Sequence, residues 1–344
     1  MPGLKPVGEQ VVVVMGATSG IGRAAARRFA AKGAKLVVSA RNEVALAALA
    51  AELEAAGGQV VAVPAEVTDV EQVRAVAEAA VAAYGRLDTW VHLPAASVYA
   101  RFDEHTPEEF RRVLEVTLLG QVHGAMAALP HLKREGRGAL VHVTSAIARR
   151  SVPLQSSYAA AKRGTEGFLE ALRTELRHDG VGVRVTNVMP ASVNTPFFDK
   201  ARTRLGVKPM GPPPFYQPSV VARALVHAAE HGPRDLVVGG AARALLAGQR
   251  LSPRAMDLLL ARAGFAMQRS RQPPPARDAL FEPAGPHQET GSFGHLAFRH
   301  SAYTWAATHR TASAALAVAG AAGIAAAVRR RAGTPPGRSR PSCS

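Results

Sequence analysis

The chain has 344 residues, 47% of them hydrophobic, enough for one large α/β core with further segments attached. Its single cysteine, Cys343, excludes an intrachain disulfide, suits a reducing compartment and lies in a polar tail unsuited to a catalytic thiol. The net charge of +16 is uneven, because residues 241–344 hold 14 Lys+Arg against 4 Asp+Glu, so the basic excess belongs to the C-terminal part.

The first apolar run, 11–15, is only a strand's length. It leads straight into a Gly-rich turn, so no signal peptide is read and a cytoplasmic location is expected. From there short β-branched runs alternate with longer Ala/Leu/Glu/Arg stretches. Strands are expected at 10–15, 35–39, 60–64, 89–93, 139–144, 184–189 and 236–238. Helices are expected between them, at about 20–32, 43–56, 70–84, 107–134, 155–178 and 218–231. Asp69, and Thr106 followed by Pro107, Glu108 and Glu109, supply helix-start chemistry. The alternation predicts an α/β fold. It should be a doubly wound, Rossmann-type parallel sheet of about seven strands, flanked by helices and followed by a helical C-terminal extension.

The expected organisation is a dinucleotide-binding catalytic domain over 1–240 and an appended helical segment over 241–271. A Pro/Gly-rich linker over 272–300, an Ala-rich helix over 301–331 and a basic disordered tail over 332–344 follow. Within the Ala-rich helix, 311–328 is an uncharged run of 18 residues followed by three arginines. As a helix it would be about 27 Å long, just short of a hydrocarbon core. Three readings stay open: an interfacial helix on anionic lipid, a helix packed on the protein or a partner, and a true span. The positive-inside rule opposes the span, since it would export the cofactor domain.

Gly16, Ala17, Thr18, Ser19, Gly20, Ile21 and Gly22 follow a strand and open a helix, the context a dinucleotide's pyrophosphate needs. After the second strand stands Arg41, where selection of NAD(H) would favour an acid. An arginine suits a 2′-phosphate, so NADP(H) is favoured over NAD(H). Tyr158 and Lys162 are four apart on a predicted helix and share a face. A nearby ammonium is expected to lower the phenol's pKa toward the working range. Ser145, just past the fifth strand, points into the same crevice at the carboxyl ends of the strands. No metal site is expected.

On these motifs the chain resembles the short-chain dehydrogenase/reductase family over roughly 8–240. The likeness extends to Glu66, Val67, Thr68 and Asp69 and to the run from Pro190 to Thr195. It implies Tyr158 as general acid/base, Lys162 on the nicotinamide ribose and Ser145 on the substrate oxygen. It implies Val193 and Thr195 on the carboxamide, with Pro190 before them, and Glu66 and Val67 along the adenine. Ala95 falls in the motif after the fourth strand, where the family has Asn-Asn-Ala-Gly and this chain has His92, Leu93, Pro94 and Ala95. Thr117 replaces a relay asparagine, Met15 a threonine and Glu66 an aspartate. His92 is read as a buried strand residue with a satisfied ring.

The family's substrate lid falls between Pro196 and Pro218. Pro214, Phe215 and Tyr216 could close over an apolar substrate with Tyr99 and Leu154, or the segment could be a stiff surface loop. The leading expectation is hydride transfer between cofactor and a lipophilic carbonyl or alcohol. The alternative, motivated by the altered residues 92–95 and Thr117, is a catalytically weak dinucleotide-binding sensor or scaffold. The resemblance implies a homo-oligomer. A membrane surface is a candidate partner through the C-terminal helix, as one of the three open readings, and nucleic acid, resting only on the basic tail, is disfavoured.

Overall fold

A computed structural model describes residues 3–309 and 311–313. Seven parallel strands form its central sheet: β1 (Val11–Met15), β2 (Lys35–Ala40), β3 (Gln59–Pro64), β4 (Thr89–His92), β5 (Arg137–Val143), β6 (Gly182–Pro190) and β7 (Asp235–Val238). Their order is 3-2-1-4-5-6-7, so the order of winding reverses between β1 and β4 while all strands stay parallel. β1 is buried on both faces along its whole length, which is why it reads as five consecutive apolar residues rather than an alternation. The helices are α1 (Gly20–Ala30), α2 (Glu43–Ala55), α3 (Val70–Tyr84), α4 (Pro107–Leu114), α5 (Gly120–Arg134), α6 (Ser156–His178), α7 (Pro218–His231), α8 (Gly240–Leu251) and α9 (Pro253–Leu259).

Local chemistry sets several helix starts. The Asp69 side chain accepts from the Glu71 and Gln72 amides at the head of α3. Thr106 and Glu109 form a reciprocal capping box with Pro107 at the first position of α4. The stretch expected as one helix over 107–134 is interrupted by a π turn, Glu115–Leu119, which carries Thr117. Among the described residues only Pro107–Arg134 is long and apolar enough to cross a membrane. Val116, Ala125, Ala128 and Leu132 of this stretch belong to the main hydrophobic core.

The described residues through Thr304 form one compact unit, and the described residues from Trp305 onward are set apart from it. The segments read as an appended helical piece and a linker, 241–271 and 272–300, therefore belong to the first unit. The stretch 272–300 has little regular structure but is seated on the sheet domain. Leu280 and Phe293 are each only 2% exposed, and Ala297–Phe298 pairs with Phe215–Tyr216. Proline content predicts irregular backbone, and here that backbone is anchored. Most of the uncharged run 311–328 and all of 332–344 lie outside the described residues.

Candidate active site

The carboxyl ends of β1, β4, β5 and β6 open into one cavity of about 700 Å³. Every catalytic and cofactor residue expected from sequence lines it except Thr117. At one end, β1 turns into α1 through Gly16, whose φ of +78° only glycine adopts without strain. Gly22 permits the closest approach, since a Cβ there would stand 2.1 Å from the Gly16 carbonyl oxygen. Pro94, from the loop after β4, packs against Gly16, with its Cδ 3.2 Å from where a Cβ would lie.

At the other end Ser145 follows β5 and caps a short 3-10 turn, its Oγ accepting the Ile147 amide at 3.2 Å. The Tyr158 hydroxyl, which α6 presents in its first turn, lines the same cavity as Ser145. One turn on, Lys162 is 1% exposed and donates from Nζ to the Val143 carbonyl at 2.8 Å. Its Nζ lies 5.6 Å from the centre of the Tyr158 ring. Burial, with no carboxylate acting against it, brings the lysine down to about 7.

The tyrosine does not follow the expected direction. Burial pushes its hydroxyl above the ordinary phenol value, and only Ser145 pulls it back. The Lys162 ammonium, which donates to the Val143 carbonyl, does not offset that burial. In this state Tyr158 holds its proton firmly, as an acid rather than a phenolate.

Thr117 sits beneath the site instead of in it. Its hydroxyl accepts the Ala96 amide at 2.8 Å and donates to the Ala96 carbonyl at 3.1 Å. It thus pins the loop after β4 that carries Ala95. His92 is fully buried, as expected, but its ring is half-satisfied: Nδ1 meets the Trp90 indole at 3.3 Å, while Nε2 has no partner among the described residues.

Arg41 lines the cavity just past the end of β2, with its guanidinium on the Ala279 carbonyl at 3.0 Å, the Phe281 carbonyl at 3.3 Å and Glu66 at 3.4 Å. Arg112 takes the same Glu66 oxygen at 3.0 Å, so that carboxylate is neutralised from two sides. Of the expected lid, Pro214 and Tyr99 line the cavity, whereas Phe215, Tyr216 and Leu154 do not. Phe215 and Tyr216 pair as a short strand with Ala297–Phe298. Phe215 points into an aromatic cluster with Phe198 and Phe293. The apolar wall comes instead from Phe197 and from Leu245, Met256, Leu259, Leu260 and Met267 of the α8–α9 region. Phe197 lies in the expected lid segment; the α8–α9 residues, and Lys200, are not singled out by sequence reasoning. The Ala/Leu/Arg helical pattern past residue 240 shows a helix but not what it covers.

A family model described as short chain dehydrogenase matches residues 10–206. The uncharacterized oxidoreductase YxnA of Bacillus subtilis (strain 168) is 37% identical over 333 residues, covering 95% of this chain and 93% of that protein. Among solved structures, a short chain dehydrogenase/reductase from Burkholderia phymatum in complex with NAD is 25% identical with a TM-score of 0.65, over 74% of this chain and 97% of that one. An alcohol dehydrogenase from the archaeon Thermococcus sibiricus, complexed with 5-hydroxy-NADP, is 27% identical with a TM-score of 0.59, over 66% and 95%. A match that begins at β1 and runs past the end of β6 is far longer than a shared motif, and the chain is an oxidoreductase of the short-chain dehydrogenase/reductase family.

Proposed function

We propose that the protein interconverts a lipophilic carbonyl compound and its alcohol, using NADP(H) in preference to NAD(H). The observation that carries this reading is the meeting of Ser145, Tyr158 and Lys162 in one cavity walled by Phe197, Leu245, Met256 and Leu260. The residues present fit a dinucleotide. Gly22 lets the turn close against the Gly16 carbonyl at the head of α1, and Lys162 spends one of its three donors on Val143. Gly16, Thr18, Ser19, Ile21 and Gly22 would hold the diphosphate end, with Glu66 and Val67 along the adenine. Val193 and Thr195, following Pro190, would hold the nicotinamide end. When bound, the cofactor supplies or accepts the hydride at the substrate's carbonyl carbon.

The protein's part is proton transfer and orientation. Ser145 fixes the substrate oxygen by a hydrogen bond. Tyr158, kept protonated by burial, gives its hydroxyl proton to that oxygen as the C–H bond forms, and takes it back in the oxidative direction. Lys162 carries positive charge next to the tyrosinate that results, and its remaining donors hold a ribose. Arg41 at the adenosine end supports the preference for a 2′-phosphate.

The test is Tyr158→Phe, assayed with NADPH against a panel of apolar ketones. Turnover should be lost while NADPH affinity, measured by calorimetry, stays within about twofold, since the hydroxyl serves the chemical step. Unchanged turnover would remove Tyr158 from the mechanism. One observation favours the second reading, a weakly catalytic dinucleotide sensor or scaffold: the Thr117 hydroxyl is closed onto Ala96. Cofactor binding with no turnover on any of the ketones would select that reading.

A further inference from the structure

Residues 278–291 cross the cofactor crevice from lip to lip. On one side the Arg41 guanidinium holds the carbonyls of Ala279 and Phe281, and Arg112 holds that of Leu280 at 3.0 Å. The Leu280 side chain is buried among Val98, Ala100 and Val113. Over the head of α1 the Gln288 carbonyl accepts the Gly20 amide at 2.9 Å, and the His287 carbonyl accepts from Arg23 at 3.2 Å. On the far side the Gly291 amide donates to the Asn194 carbonyl at 3.2 Å. A Cβ on Gly291 would stand 2.3 Å from the Thr195 carbonyl, so backbone lies directly on backbone there. Leu280, Pro283, Ala284 and His287 line the cavity from above.

Beneath this crossing stands Lys200, from the loop after β6. Its backbone carbonyl accepts the Ala279 amide at 2.9 Å, and its Nζ reaches the Ser19 hydroxyl at 3.2 Å. The neighbouring carboxylate does not pair with it. Asp199 gives Oδ1 to Lys208 at 2.8 Å and to Ser292 at 2.6 Å. Arg41 and His287 are the other charged or titratable groups facing it, and burial with the Arg41 charge brings the lysine down to about 8. Two cations thus share one end of the cavity, and the carboxylate lining it there among the described residues, Glu66, is already bracketed by arginines, as Asp199 is engaged by Lys208. Such an arrangement is completed by an anion.

We infer that residues 278–291 are a strap closed over the adenosine half of the crevice, and that Lys200 beneath it binds a phosphate group of the dinucleotide. This rests on the cofactor reading above. The phosphate is either the diphosphate, next to Ser19, or the 2′-phosphate, next to Arg41. Because the strap is tied to both lips, the adenosine half leaves the crevice only when the strap lifts.

The experiment is calorimetric titration of the full chain and of Lys200→Met with NADPH, NADH, ADP-ribose and adenosine. A charge-assisted bond to phosphate predicts about a tenfold or greater loss of affinity in the variant, with Lys200→Arg recovering most of it. Loss with NADPH, NADH and ADP-ribose alike places the diphosphate on Lys200, and loss with NADPH alone places the 2′-phosphate there. Unchanged affinity for all ligands, or an equal loss for adenosine, overturns the lysine's role.

The strap is tested by the rate at which bound NADPH is displaced by excess NADP+, followed by fluorescence. Leu280→Asp and, separately, Gly291→Val should raise that rate at least tenfold. In the unmutated protein, hydrogen exchange over 278–291 should slow when NADPH binds. Unchanged exchange overturns the strap, whatever the variants do. If the unmutated protein binds neither NADPH nor NADH, it is the cofactor reading that fails.

Discussion

Replacing Lys162 by methionine should make the protein more stable and inactive. The ammonium is 1% exposed, has one hydrogen-bond acceptor and no carboxylate partner, and burial moves it from the ordinary lysine value of 10.5 to about 7. At about 1.4 kcal/mol per tenfold change in proton affinity, holding the charged lysine in the fold costs roughly 5 kcal/mol at or below pH 7. Methionine has a similar length and no charge, so it removes that cost. It also leaves the Val143 carbonyl with one donor fewer, a loss of about 1–3 kcal/mol. The net expectation is a gain of about 2–4 kcal/mol at pH 7. The unfolded chain keeps its lysine protonated up to about 10.5 and the folded chain only to about 7, so the native protein gains stability as pH rises across that window. The variant's advantage should therefore shrink steadily from pH 7 to pH 10. Urea unfolding of both proteins at several pH values measures it. A variant no more stable than the parent at pH 7, or an advantage that grows toward pH 10, would refute the view that Lys162 is held charged against its environment.

Two further substitutions probe the crevice and the loop beneath it. Gly22→Ala places a methyl 2.1 Å from the Gly16 carbonyl, so the turn must open. NADPH affinity should fall at least about tenfold and stability by about 1–3 kcal/mol, as calorimetry and thermal melting would record. Thr117→Val keeps the shape but strips both hydrogen bonds from Ala96, costing about 1–3 kcal/mol in urea unfolding, whereas Thr117→Ser should cost much less.

The sheet was legible because doubly buried strands have no choice but to be apolar throughout. The run at 11–15 needed no partner to be recognised, and the expected strand ends fall within about two residues of those observed. The π turn at Glu115–Leu119 was not legible. One extra residue in a helical ladder leaves the apolar period on either side nearly intact, and the pattern over 107–134 reads as one helix. The strap was hidden for a different reason. Its anchors are the main-chain carbonyls of Ala279, Leu280, Phe281, His287 and Gln288, which carry no side-chain signature. The proline-rich composition of 272–294 correctly says that no helix or strand of length forms, and says nothing about what the backbone touches. Tyr158 and Lys162 were found by spacing. Spacing brought the two groups together but not the burial of both, which reverses the expected shift of the tyrosine.

The polar groups under the site have their own consequence in acid. Lys162 and Gln121 both donate to the Val143 carbonyl, and the Gln121 Oε1 accepts from His142 Nδ1 at 2.6 Å. An amide oxygen can only accept, so His142 carries its proton on Nδ1, and Nε2 is left bare. Burial, followed by the charges of Lys162 and Arg173, holds His142 at about 3. His92, stacked on it at 5.9 Å, is driven in the same direction by burial and by His142 itself. The unfolded chain protonates these rings below about 6.5, while the folded chain keeps His142 neutral down to about 3. Stability must therefore fall as pH drops through that window, by about 2 kcal/mol for His142 on reaching pH 5, with His92 acting in the same direction. His142→Gln should abolish one such share and leave that of His92, so the variant loses about 2 kcal/mol less than the parent between pH 7 and pH 5 in urea unfolding. Equal losses in the two proteins would mean that His142 accepts its proton in place. The stack beneath Lys162 would then be a charged platform and not a neutral one, and a second positive charge there would leave the lysine with even less reason to stay protonated.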